Sequence, residues 1–153
     1  MNQRNIKHLL NAELSAVETY EQALQEKDWK VLGPNPQIQA LFHILVDHVQ
    51  AASQLATEVQ RLAGRPVNDT KDAWDRSSHL RTGAARLFSD TNPFGDKAAL
   101  ETLKESEESG LKEYQAVLHQ ALSPQVKPLI RSLKTKQQAH VRALDDLMMR
   151  VGP

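Results

Sequence analysis

Apolar residues recur every three or four positions in four long segments of the chain, which is the spacing of one face of an α-helix. In the first segment these residues are Ile6, Leu9, Leu10, Val17, Tyr20 and Leu24. In the second they are Ile38, Leu41, Leu45, Ala52, Leu55, Val59 and Leu62. The third has Leu100, Leu103, Leu111, Tyr114, Val117 and Leu118, and the fourth has Val126, Leu129, Ile130, Leu133, Leu144, Leu147 and Val151. The pattern therefore predicts four amphipathic helices.

Clusters of glycine and proline mark where these helices begin and end. Residues 33–36 read Gly-Pro-Asn-Pro, residues 64–66 read Gly-Arg-Pro, and Ser123 precedes Pro124 as a cap would. We predict helices over about residues 5–29, 36–63, 94–121 and 124–151. Residues 65–93 are predicted to form a crossover that contains one short helix. Residues 1–153 then make a single domain.

Two pairs of helices with short internal breaks and one extended connection predict an all-α fold. The expected architecture is an antiparallel four-helix bundle with a long crossover between helices 2 and 3. Each helix has about 25 residues, or roughly 37 Å at 1.5 Å per residue, so the four lengths match. Their outer faces are expected to be mostly polar, which argues against a helical interaction module.

Composition narrows the class of protein further. The chain has 153 residues, of which 40% are hydrophobic, and 19 Lys and Arg balance 19 Asp and Glu. This charge balance argues against a nucleic-acid partner. The absence of cysteine excludes disulfides, thiol catalysis and cysteine-bound metals. No segment approaches the ~18 apolar residues that a membrane helix needs, and the amino terminus lacks a signal core, so we expect a cytoplasmic protein without a membrane partner.

Four ionisable residues stand within the apolar stripes, at Glu13, His48, Glu107 and His140. They belong to an approximate internal repeat. Glu13 lies seven residues before Tyr20, and Glu107 lies seven residues before a second tyrosine. The two glutamates are 94 residues apart and the two histidines 92.

The predicted hairpins place these four residues in one layer. In an antiparallel pair, residues at the same level are equally far from the connecting break. The midpoint between Glu13 and His48 falls near residue 30, and that between Glu107 and His140 falls near residue 123. Both midpoints fall close to breaks predicted from glycine and proline, so each glutamate should lie level with its histidine to within about one turn.

An isolated carboxylate in an apolar core would cost more than the net stability of a domain. The four groups must therefore form glutamate–histidine pairs or surround a divalent cation. Two carboxylates and two neutral imidazoles suit one Fe, Mn or Zn ion. We expect the two tyrosine hydroxyls to bond to this polar layer. Asp47, beside His48, is expected to point away into solvent.

The residues Leu10-Asn11-Ala12-Glu13-Leu14, followed by Tyr20, His48, Glu107, Tyr114 and His140, resemble the ferritin-like superfamily, in its bacterioferritin and rubrerythrin group. The chain is most similar to a bacterial branch of that superfamily. The resemblance implies the ferritin-like bundle topology. It also implies that Glu13 and Glu107 match the terminal carboxylate ligands of a di-iron site, and that His48 and His140 match its histidines.

The chain departs from this family at the bridging ligands. Three residues before each matching histidine, where the di-iron family has a bridging glutamate, the chain has Leu45 and Gln137. The di-iron site is therefore expected to be degenerate. Val46 replaces the methionine that would hold a haem, so no haem is expected.

These observations favour a bundle that binds a single transition metal ion in its core, with a binding or stress-related role rather than a catalytic one. A metal-dependent oxidase or peroxidase is the first alternative, with Glu18, Glu105 or Glu108 as replacement carboxylates. A metal-free stress-related or interaction protein is the second. We also predict a homodimer, with Trp29 and Trp74 as either bundle caps or dimer contacts.

Overall fold

A computed structural model describes residues 3–26, 37–63, 96–120 and 122–151. These residues form four α-helices and no strand, which agrees with the predicted all-α four-helix bundle. The helices are α1 (Gln3–Glu26), α2 (Gln37–Ala63), α3 (Asp96–Leu118) and α4 (Lys127–Val151). The predicted crossover over residues 65–93, together with Trp29 and Trp74, lies outside the described residues.

The helix ends differ from the predicted bounds by a few residues. Regular α4 begins at Lys127, whereas the sequence placed its start at residue 124. The Ser123 carbonyl accepts hydrogen bonds from the amides of both Val126 and Lys127, at 3.1 and 3.2 Å. Residues 124–126 therefore form a tighter turn that leads into the helix, and such turns are common at helix ends.

The buried apolar side chains form two clusters. The first joins the early part of α1, the later part of α2, the end of α3 and the start of α4, through residues such as Leu10, Leu55, Tyr114 and Ile130. The second joins the opposite part of each helix, through residues such as Tyr20, Leu41, Leu103 and Leu144. α1 packs mainly against α2, and α3 packs mainly against α4. In α2, α3 and α4, one of the predicted polar groups lies between the residues of the two clusters, whereas in α1 Glu13 lies next to Leu14 of the first cluster.

The outer face of α2 is more apolar than the sequence analysis expected. Phe42, Val46 and Val49 are 44%, 50% and 47% exposed. Their spacing of four and three residues places them on one face of the helix. Sequence reasoning missed this stripe because Leu41 and Ile44, which do face the core, belong to the same apolar run.

None of the four described helices has a stretch apolar enough to cross a membrane.

Candidate metal centre

All four predicted site residues are buried, and the structure brings them together. Glu13 comes from α1, His48 from α2, Glu107 from α3 and His140 from α4. Their exposed fractions are 4%, 1%, 0% and 5%. Each replaces an apolar residue in a helical stripe, so the packing that buries the stripe also carries the polar group into the interior.

His48 lies between the two glutamates. Its Nδ1 is 2.5 Å from Glu13 Oε2, and its Nε2 is 2.8 Å from Glu107 Oε2. The other oxygen of Glu13 accepts a hydrogen bond of 2.6 Å from the Tyr114 hydroxyl. The prediction that this tyrosine bonds to the polar layer is confirmed. Glu13 therefore has a partner for each of its oxygens.

His140 extends the network on the other side of Glu107. Its Nδ1 is 2.7 Å from Glu107 Oε1, and its Nε2 is 2.9 Å from Asp47 Oδ2. The expectation that Asp47 points away into solvent is therefore wrong. A continuous hydrogen-bonded chain runs from Tyr114 through Glu13, His48, Glu107 and His140 to Asp47.

The position of Asp47 follows from the width of the buried face of α2. Ile44 and Ala51, three residues before and four residues after Asp47, are both buried. The face that α2 turns inward is therefore wider than a single stripe, and Asp47 lies at its margin, where α2 touches α4. The spacing 44, 47 and 51 is the sequence signal that could have revealed this residue.

Opposite charges dominate the electrostatics of this layer. Burial by itself would lower the pKa of His48, but the Glu107 and Glu13 carboxylates raise it from 6.5 to about 10. Burial would likewise raise the pKa of Glu107, but His48 and the hydrogen bond from His140 lower it from 4.5 to about 2. At neutral pH, His48 is therefore an imidazolium that donates from both nitrogens, to Glu13 and to Glu107.

The two tyrosines of the repeat differ in their surroundings. Burial, followed by the Glu13 charge, raises the pKa of Tyr114, which stays a hydrogen-bond donor. The ring of Tyr20 lies beside His48, with centroids 5.5 Å apart. Burial, followed by the charge of Glu107 and the approach of the hydroxyl to that carboxylate, raises the pKa of Tyr20 as well. The hydroxyl does not form a well-aligned hydrogen bond with the described residues.

The two positions that the family resemblance assigns to bridging glutamates do not supply a carboxylate. Leu45 is half-buried on α2, and the Gln137 amide donates to the backbone carbonyl of Glu107 at 3.0 Å. Gly110 permits that bond, because a Cβ atom there would lie 2.7 Å from Gln137 Nε2.

The three glutamates considered above as replacement metal ligands differ in burial. Glu105 and Glu108 are exposed, whereas Glu18 is buried.

Three of the four residues form a group that could hold a metal ion. Donor atoms of His48, Glu107 and His140 all lie within 4.8 Å of one another, and all three residues are buried. Glu13 stands outside this group, one hydrogen bond beyond His48. The ring centroids of the two histidines are 4.9 Å apart, so both imidazoles face the same small volume.

Comparison with known proteins finds no family model, no curated protein and no solved structure that matches the chain. The ferritin-like resemblance therefore stays a prediction from the sequence.

We predict that removing the Tyr114 hydroxyl destabilises the protein more than removing that of Tyr20. Y114F leaves one oxygen of a buried carboxylate without its donor, which costs about 1–3 kcal/mol. Y20F leaves each oxygen of Glu13 and Glu107 with its partner from His48, His140 or Tyr114 and should cost less than about 1 kcal/mol. Urea unfolding of the metal-free proteins measures both, and equal losses would contradict the network.

We also predict a maximum of stability at mildly acidic pH in metal-free protein. Because folding raises the pKa of His48 from 6.5 to about 10, its stabilising contribution is complete below pH 6.5 and disappears as the pH rises through 10. Because folding lowers the pKa of Glu107 from 4.5 to about 2, its contribution is complete above pH 4.5 and disappears as the pH falls through 2. Free energies of unfolding between pH 3 and 10 test this. An H48Q variant, compared with H43Q at the exposed His43, should lose the decline above pH 6.5.

Proposed function

We propose that this protein is a ferritin-like four-helix bundle that binds one divalent transition metal ion through His48, Glu107 and His140, with Glu13 as an additional ligand. The observation that carries the proposal is the buried convergence of three metal-ligating side chains from three helices. The role is binding rather than turnover.

The proposed topology has antiparallel neighbours and a long crossover between α2 and α3. Its support is the composition of the two apolar clusters. The early part of α1 packs with the later part of α2, and the end of α3 packs with the start of α4. The second cluster joins the complementary parts. Parallel neighbours would instead place the early parts of paired helices in the same cluster.

The donor set suits a borderline transition metal. Imidazole nitrogen and carboxylate oxygen are ligands of Zn, Fe and Mn, and bond lengths to Zn are about 2.0–2.2 Å. Two ligands of one such ion therefore lie no more than about 4.4 Å apart. The donor atoms here lie within 4.8 Å, so the fit needs only small adjustments of side chains. The ion would replace protons that now join Glu107 to the two imidazoles.

A second metal ion has less support. Two adjacent ions need bridging carboxylates to offset their repulsion, and the chain has Leu45 and Gln137 at those positions. The amide of Gln137 is directed to a backbone carbonyl. Glu105 and Glu108 are exposed, so the buried Glu18 is the replacement ligand on which the alternative of an oxidase now depends. Oxygen consumption with Fe(II) tests that alternative.

A metal-free structural role is the second candidate. Its support is that every ring nitrogen of His48 and His140 already faces a carboxylate oxygen. Such a layer is complete without an ion, and would serve to fix how the helices pack.

Titration of chelator-treated protein with Co(II), followed by its visible absorption, distinguishes the two candidates. We expect saturation at about one equivalent, competition by Zn(II), and at least about a tenfold weaker affinity in H48Q, H140Q and E107Q. H43Q and E108Q alter exposed residues of the same helices and serve as matched controls.

Affinity should also rise with pH, because the ion must displace the proton that His48 holds up to about pH 10. If binding is weak and these variants do not change it, the metal proposal fails and the metal-free structural role remains.

We further propose a homodimer in which α2 contributes to the interface. The support is the exposed stripe of Phe42, Val46 and Val49. Sedimentation velocity should show a dimer for the wild type and a monomer for V46E, because a buried unpaired charge disrupts an apolar interface. M149E changes an exposed apolar residue on α4 and should leave the dimer intact. A monomeric wild type would refute the proposal.

A further inference from the structure

Asp47 stands at the outer end of the hydrogen-bonded chain, where α2 touches α4. Its side chain is 36% exposed, whereas the side chain of His140 is only 6% exposed. The 2.9 Å contact between Asp47 Oδ2 and His140 Nε2 therefore joins a buried imidazole to a carboxylate that water still reaches. Asp47 can serve His140 without the cost of burying a further charge in the core.

The two imidazoles of the polar layer present different nitrogens to Glu107. His48 Nε2 lies 2.8 Å from Glu107 Oε2, and His140 Nδ1 lies 2.7 Å from Glu107 Oε1. An ion held by these three residues would therefore take Nε2 of one histidine and Nδ1 of the other. The remaining nitrogen of His48 faces Glu13, and the remaining nitrogen of His140 faces Asp47.

The contact with Asp47 has a particular consequence once an ion is bound. A nitrogen that binds an ion gives it a lone pair, so the neutral ring keeps its proton on the other nitrogen. In His140 that proton would be on Nε2, and Asp47 Oδ2 is placed to accept it. Rotation of the ring by half a turn about its Cβ–Cγ bond would put a carbon atom where Nδ1 lies. Both the hydrogen bond to Asp47 and the donor to the ion would then be lost.

We propose that Asp47 is a positioning residue of the metal site, which fixes the tautomer and the ring orientation of His140 so that this histidine binds the ion through Nδ1. The proposal rests on the metal-binding function proposed above. Carboxylates that hold the second nitrogen of a histidine ligand typically contribute about 10- to 100-fold to metal affinity. α2 would thus supply one ligand, His48, and orient a second ligand that belongs to α4.

NMR of the Zn(II)-loaded protein with labelled histidine tests which nitrogen of His140 binds the ion. Long-range ¹H–¹⁵N correlations of the ring identify the nitrogen that carries the proton, and the signals missing from H140Q assign His140. We expect the proton on Nε2 and the ion on Nδ1. Coordination through Nε2 would overturn the positioning role and leave the metal site in place. If the chelator-treated protein does not bind Zn(II), both proposals fail.

Variants of Asp47 separate the hydrogen bond from the charge. D47A removes the acceptor, so it should weaken Zn(II) binding about tenfold or more and abolish the single ring pattern of His140. D47N keeps an oxygen that accepts the Nε2 proton, so it should retain this pattern and lose less affinity. D145N removes the same charge from α4, at a carboxylate paired with Lys104, and should change neither quantity.

Circular dichroism checks that the helices of each variant remain. A D47A protein with the affinity and ring pattern of the wild type would refute the proposal. A loss of affinity in D145N as large as that in D47A would also refute it, because charge alone would then explain the effect.

Discussion

The Glu107 carboxylate is fully buried, and the rest of the polar layer is arranged around it. A lone carboxylate in an apolar interior would cost more free energy than a small domain has in net stability. Here each oxygen has an imidazole nitrogen within hydrogen-bond distance, His48 on one side and His140 on the other. Those imidazoles are buried too, so each needs a further carboxylate, and Glu13 and Asp47 supply them.

This arrangement explains why one set of atoms can serve either a structural or a metal-binding role. Between Glu107 and the two imidazoles, the bonds are made by protons in the metal-free protein. A divalent cation in the same space would be attracted by the same carboxylates and would use the same nitrogen lone pairs. If the proposed metal binding occurs, the ion competes with the proton of His48, and the raised pKa of His48 opposes release of that proton.

The approximate repeat in the sequence does not make the two halves equivalent in the structure. Glu107 contacts both histidines, whereas Glu13 contacts only His48 and takes its second bond from Tyr114. Tyr20, the repeat counterpart of that tyrosine, packs its ring beside His48 instead. The two ends of the network also differ, since one is the buried Tyr114 and the other is the partly exposed Asp47. This asymmetry supports the proposal of one ion at Glu107 rather than two equivalent sites.

The sequence by itself determined the four helices and the burial of Glu13, His48, Glu107 and His140, because helical periodicity dictates which residues share a face. Breaks at glycine and proline also placed these four residues at one level. Only the tertiary structure decided that Glu107 is the central carboxylate and that Asp47 joins the network. Those outcomes depend on the rotation of each helix about its axis and on which neighbours touch, and neither quantity is encoded in the period of a single helix.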